Sequence, residues 1–221
     1  MFDLTLSFDN GPSPGVTPLV LDVLAERGIK TTFFVVGEQL GDPECRRLMR
    51  RAHAEGHWIG NHTFTHSVPL GRQRDGNSAE NEIGRTQAAI GDLAHPDRLF
   101  RPFGGGGNLD EGLLKPSVVN YLVRNRFTCV LWNAIPHDWD DPERWVERAL
   151  DQCRAQPWSL MVLHDLPTGA MNRLEEFLGR VKAIGARMHQ DFPPACVPIR
   201  RGEIALPLNS YVSSIEESTS Q

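Results

Sequence analysis

Residues 4–12 read LTLSFDNGP: Leu4, Leu6 and Phe8 alternate with Thr5 and Ser7, and the run ends in Asp9-Asn10 ahead of Gly11-Pro12. Apolar residues at a period of two mark a strand with unlike faces, and the Gly-Pro pair stops it. The strand therefore delivers a carboxylate and an amide at its C-terminal end. Downstream, Leu19, Val20, Val23 and Leu24 fall on one face of a helix over Thr17 to Arg27, with Gly28 as its stop. Thr31 to Val36 is β-branched and aromatic, and so a second strand.

The alternation continues to the C-terminal region. Helix is predicted over Pro43 to Ala54, strand at Trp58-Ile59-Gly60, helix over Asn81 to Leu93, and strand over Arg98 to Arg101. Then follow helix Gly112 to Asn125, strand Phe127 to Ile135, helix Pro142 to Ala155, strand Ser159 to His164, helix Arg173 to Gln190, and a last short strand, Ala195 to Ile199. Strands alternating with helices indicate an α/β fold on a parallel sheet, and seven such units close into a barrel. No repeat or linker divides the chain. A single domain is expected over residues 1–208, and the polar, Ser-rich residues 209–221 read as a frayed tail.

Composition narrows the partners. The chain has 221 residues, 40% apolar and 23% charged, with 23 Lys and Arg against 28 Asp and Glu, a net charge of −5. That balance is ordinary for a globular protein and argues against nucleic-acid binding, which calls for a basic surface. No run of about 18 apolar residues suggests a membrane span. The four cysteines (Cys45, Cys129, Cys153, Cys196) form no CxxC. With no basic n-region before an apolar run at the N-terminus, reduced thiols and cytoplasmic residence are the expectation.

In a parallel barrel the chemistry sits at the C-terminal ends of the strands. Those ends carry Asp9 and Asn10, then 61-NHTFTH-66, then Arg101-Pro102-Phe103 with Gly104 to Gly107, then His137-Asp138-Trp139, and finally His164-Asp165. His62 and His66 are four apart, a spacing that on a helical turn places two imidazoles on one face to chelate a divalent metal; two unrelated histidines are the alternative. Asp9 fits a ligand, a general base or a turn-forming residue. His164, closing an apolar run, is either functional or a core-edge histidine. Arg101, if buried, needs an anionic partner, and Asp9 is the candidate. The glycines lack the sequence context of a nucleotide loop and instead suit close approach of backbone N–H to a reacting centre. No serine or cysteine sits in a nucleophile motif.

Together these segments resemble the polysaccharide deacetylase family, the NodB homology domain or carbohydrate esterase family 4, from about Leu4 to Val197. LSFDNGP (6–12) resembles TFDDGP, GHWIGNHTFTH (56–66) resembles GHEIGNHTxxH, and RPFGG (101–105) is similar to RxPxG. Trp132 to Trp139 resembles the segment ending DxxDW, Leu163-His164 the LxH, and KTTFFVVG (30–37) the KATFFxxG strand. The resemblance implies a distorted (β/α)7 barrel and assigns roles. Asp9 matches the base, Arg101 the residue that orients it, His164 the general acid and Asp138 the carboxylate behind that acid. His62 and His66 match ligands of a divalent metal, usually zinc, and Trp139 a groove-lining aromatic, with Phe103, Gly104 and Gly105 beside the substrate.

The departures matter too. The family's second motif-one aspartate, a metal ligand, is Asn10, which brings an oxygen but no charge, so metal binding weaker than usual, or none, is expected. Ile135 replaces the first Asp of DxxDW, and Phe103 and Gly104 depart from RxPxG. These changes suggest a substrate unlike a chitin-type polymer. The leading expectation is metal-assisted hydrolysis of an amide C–N bond in an N-acetylated carbohydrate or other small amide. A metal-independent, allantoinase-like amidohydrolase and a non-catalytic carbohydrate-binding protein are the alternatives.

Overall fold

The computed structural model describes residues 1–214. Strand β1 (Phe2–Asp9) lies at its centre, with its two faces sorted as the sequence alternation requires. Leu4, Leu6 and Phe8 pack outward against helices α1 (Thr17–Glu26), α5 (Trp145–Arg154) and α6 (Leu174–Ala183) in the largest apolar cluster. Thr5, Ser7 and Asp9 are also buried, but they face the barrel interior.

Around β1 run parallel strands β2 (Thr32–Val35), β3 (Trp58–Asn61), β4 (Leu99–Phe100), β5 (Thr128–Cys129) and β6 (Trp158–His164), in the order β6-β1-β2-β3-β4-β5. Helices α2 (Pro43–Ala54), α3 (Arg85–Ile90) and α4 (Pro116–Arg124) cover the remaining outside. The ring closes through Ala134, whose N–H donates to Leu160 O and whose carbonyl accepts from Val162 N. This is a distorted (β/α) barrel, closed by one bridge rather than a full ladder.

Three expected elements differ. Strand Phe127 to Ile135 shrinks to β5 and the Ala134 bridge, because the Arg101 guanidinium takes the Val130 and Leu131 carbonyls that a ladder would have used. Helix Arg173 to Gln190 stops at Ala183: Gly185 adopts φ 86°, a left-handed helix end, and Ala186–His189 becomes β7, parallel to Phe2–Thr5 of β1. Ala195 to Ile199 is not the seventh parallel strand. It forms a short 3-10 turn and then β8 (Ile199–Arg200), antiparallel to β5 and hairpinned to β9 (Glu203–Ile204).

Residues 209–214, read from the sequence as tail, are partly held: Leu114 N donates to Tyr211 O, Ser213 N donates to Leu114 O, and Ser213 is buried. The rest of that segment, 215–221, lies outside the described residues. All four cysteines are buried free thiols. Among the described residues no helix is long and apolar enough to cross a membrane.

Candidate active site

Register brings the chemistry together. Asp9, the last residue of β1, pairs with His164, the last residue of β6, so a carboxylate and an imidazole sit side by side across a parallel ladder. Each has its own support. Arg101, fully buried, donates from Nη1 to Asp9 Oδ1 at 2.8 Å and to Ser7 Oγ at 2.6 Å. Its Nε and Nη2 go to the carbonyls of Val130 and Leu131, and its Cζ lies 4.1 Å from the Phe34 ring centre. The anionic partner that a buried arginine requires is thus Asp9.

Asp138 is fully buried behind His164. One carboxylate oxygen meets His164 Nδ1 at 2.8 Å, and the other accepts from His164 N at 2.9 Å. Burial alone would push the His164 pKa down; attraction to Asp138 and its hydrogen bond, aided by Asp9 and Asp165, outweigh that and raise it. With Nδ1 engaged by the carboxylate, Nε2 is the atom left for the cavity.

His62 and His66 do come together, with ring centres 4.8 Å apart, but not on a helical turn as expected. His62 extends the β3 ladder, its N–H donating to Val35 O, and the chain then loops through Thr63 (φ 66°) and His66 (φ 49°). His62 Nδ1 contacts Arg101 O at 2.9 Å, so it carries the proton, and Nε2 turns toward Asp9 Oδ2 at 3.5 Å. Burial, chiefly, lowers both pKa values to about 3, leaving two neutral imidazoles.

The third donor expected at a metal site is Asn10. Its backbone is left-handed (φ 73°), a conformation asparagine tolerates, and its Oδ1 is buried without a hydrogen-bond partner. Among the described residues no three His, Cys, Asp or Glu side chains form a metal cluster. The available set is therefore His62, His66 and the Asn10 amide oxygen. An orphaned buried oxygen beside two deprotonated imidazoles fits a divalent cation, though with no charge from the ligands themselves.

These groups line a cavity of about 220 Å³, walled by Phe103, Gly104, Gly106, Gly107, Trp132, Ile135, Trp139 and Leu166. Trp139 stands edge-on to His164 at 4.6 Å, and Phe103 lies 4.0 Å from the His66 ring. Gly105 does not line the cavity; Gly106 and Gly107 do. The glycine run has a steric reason. A Cβ on Gly104 would lie 2.8 Å from Trp132, and one on Gly107 would lie 2.9 Å from Ile135.

The sequence marked Asp165 only as a strand-end residue with no assigned role and did not single out Glu82; both are buried. Asp165 accepts from the Thr17 hydroxyl and leaves its other oxygen unpartnered, and burial raises its pKa to about 6. Glu82, 16 residues beyond His66, accepts from Phe64 N, Thr65 N and Thr65 Oγ1 at 2.8, 2.9 and 2.7 Å. Its partners are mostly backbone amides, which leave no pattern in a sequence.

A barrel mouth with an arginine-backed carboxylate on one strand and a carboxylate-backed histidine on the next defines an acid–base hydrolase. The comparisons agree: the polysaccharide deacetylase family model matches residues 3–113. A chitooligosaccharide deacetylase of Rhizobium leguminosarum bv. trifolii is 36% identical over 166 residues, 74% of this chain and 71% of the relative. The crystal structure of a peptidoglycan N-acetylglucosamine deacetylase superposes with a TM-score of 0.72 at 25% identity, covering 90% of this chain and 89% of that one. A family 4 acetyl xylan esterase from Clostridium thermocellum, in complex with a cobalt ion, gives 0.68 at 25%, covering 85% and 87%. The chain belongs to the polysaccharide deacetylase family.

Proposed function

We propose that this protein hydrolyses the acetamide C–N bond of an N-acetylated amino sugar, with a divalent first-row metal such as zinc held by His62, His66 and Asn10. The observation that carries this reading is the Asp9–His164 register pair, with Arg101 behind one member and Asp138 behind the other. The relatives' activity on N-acetylated sugars supports the substrate class. A bound cation would supply Lewis-acid polarisation of the acetamide carbonyl.

The residues divide the remaining work. Arg101 occupies Asp9 Oδ1, leaving Oδ2 to accept a proton as water oxygen adds to the carbonyl carbon. As the C–N bond breaks, the electron pair goes to nitrogen, and His164 Nε2 donates its proton there, giving acetate and a free amine. Asp138 stabilises the protonated imidazole that this step requires. Trp132, Trp139 and Leu166 give the cavity an apolar wall that disfavours water beside the reacting groups.

The test is release of acetate and primary amine from N-acetylglucosamine oligomers by protein supplied with zinc or cobalt. Asp9→Asn should lower turnover by roughly 10²–10⁴-fold, the contribution of a positioned base. Undiminished turnover in that variant would sink the assignment.

A further inference from the structure

We propose that Glu82 is a positioning residue for His66, acting through the backbone of the loop that carries it; this rests on the metal-site reading above. Thr63, Phe64, Thr65 and His66 have backbone groups that no strand or helix satisfies. The carbonyls of Thr63 and Phe64 accept from Gly37 N and Glu38 N. On the other side the N–H groups of Phe64 and Thr65 both point to one Glu82 oxygen, while the second oxygen accepts from Thr65 Oγ1. Thr63 N donates to Asn61 Oδ1, and Glu82 is the side chain that meets the two central amides of the loop.

That pairing matters, because the two engaged amides lie between Thr63 and His66, both left-handed. A β-branched residue at φ 66° is strained and persists only where its surroundings over-determine it. Glu82 is placed for the task by its own local structure. It sits in a π-helical turn, Glu80–Gly84, just before α3, and that widened turn precedes the point where Thr86 Oγ1 donates to Glu82 O. Glu82 is buried, 7% exposed, and three donors meet its carboxylate. Arg85 does not pair with it but stacks on Phe64, 3.7 Å from the ring centre, pressing the same loop.

The consequence concerns geometry at the metal site. His62 is fixed by the β3 ladder and by Arg101 O, whereas His66 sits four residues out with its ring supported by Phe103 and His62. If the loop backbone relaxes, His66 moves and His62 stays. Supporting groups of this kind are typically worth 10–100-fold in metal affinity.

Glu82→Gln tests this, because the amide keeps the shape but removes the charge that strengthens both N–H hydrogen bonds. The expected result has two parts. In metal-free protein the His66 ring Cε1–Hε1 NMR signal should shift or broaden while that of His164 stays in place. In equilibrium dialysis with Co²⁺ the variant should bind roughly 10–100-fold more weakly than native protein. Thr65→Val, which removes only the hydroxyl link, should stay within about threefold. An unmoved His66 signal in Glu82→Gln overturns the proposal, as does Co²⁺ affinity equal to native. If native protein binds no Co²⁺, the metal reading fails on its own, and the His66 signal still decides the role of Glu82.

Discussion

Replacing Arg101 by lysine separates two things the guanidinium does at once. It neutralises Asp9, and it satisfies two backbone carbonyls just beyond β5 with a planar fork that an ammonium cannot reproduce. At 2.8 Å and an effective dielectric of 20, attraction to Asp9 is worth about 6 kcal/mol before desolvation is subtracted. Lysine keeps most of this. It cannot also reach Val130 O and Leu131 O, and each buried carbonyl left unpaired costs about 1–3 kcal/mol. Loss of stacking on Phe34 adds about 1 kcal/mol. Arg101→Lys should therefore lower unfolding free energy in urea by about 3–7 kcal/mol, a Tm drop on the order of 6–28 °C at this chain length. Arg101→Met removes the charge as well, and an uncompensated buried carboxylate costs a further 3–5 kcal/mol or so. That total approaches the whole stability of a typical domain, about 5–15 kcal/mol. In an Asp9→Asn background the methionine change should cost at least about 2 kcal/mol less, since no charge is stranded. Additivity of the two changes to within about 0.5 kcal/mol, or an Arg101→Lys variant as stable as native, would refute the reasoning.

Two further outcomes follow from the site. Asn10→Asp adds a charge to a donor set that has none, so Zn²⁺ affinity in equilibrium dialysis should rise at least tenfold or so, and equal affinity would show that Asn10 does not coordinate. Acid should destabilise the metal-free protein well above the carboxylate range. His57 is held at about 4 and His62 and His66 at about 3, so between pH 6.5 and 4 the unfolded chain binds protons that the native state refuses. Stability then falls as pH falls. Asp165, raised to about 6, works the other way, since its native form holds a proton that the unfolded form gives up. Near pH 5 the net is about two protons, or roughly 2–3 kcal/mol per pH unit, and Asp165→Asn should steepen the loss. Urea unfolding at pH 7, 6, 5 and 4 measures both slopes; a flat profile would contradict the assigned protonation states.

How much of this was legible in the sequence depended on whether a residue's role was local. The alternation at Leu4 to Asp9 disclosed strand, sidedness and the placement of Asp9 because a strand's faces are set by its own residues. The need of Arg101 for an anion was legible for a similar reason, since burial of a guanidinium admits few solutions. Errors arose where a distant group intervened. The strand after Phe127 is cut short by an arginine 26 residues earlier, and the helix after Arg173 ends because β1 offers Ala186–His189 a free edge. The His62–His66 spacing suggested a helical turn, but the pair is built from a strand end and a strained loop whose amides answer to Glu82.

The same distinction applies to the glycine run, whose packing partners lie far along the chain. Four consecutive glycines suggested backbone N–H groups near the reaction; the structure shows at Gly104 and Gly107 a loop laid flat against Trp132 and Ile135, with no room for a Cβ. Ile135 stands where the family motif has an acidic residue, and Gly107 is the glycine that makes space for it. Ile135 and Gly107 are thus sterically matched: a side chain at 107 would collide with the one at 135. An aspartate restored at Ile135 alone would place a charge against Gly107, Trp132 and Trp139 in an apolar wall with no partner in view. Trp132, Ile135 and Trp139 make this side of the cavity apolar. A substrate that uses this wall must bring apolar surface to it, which an N-acetylated sugar carries in its acetyl methyl group and in the C–H faces of its ring.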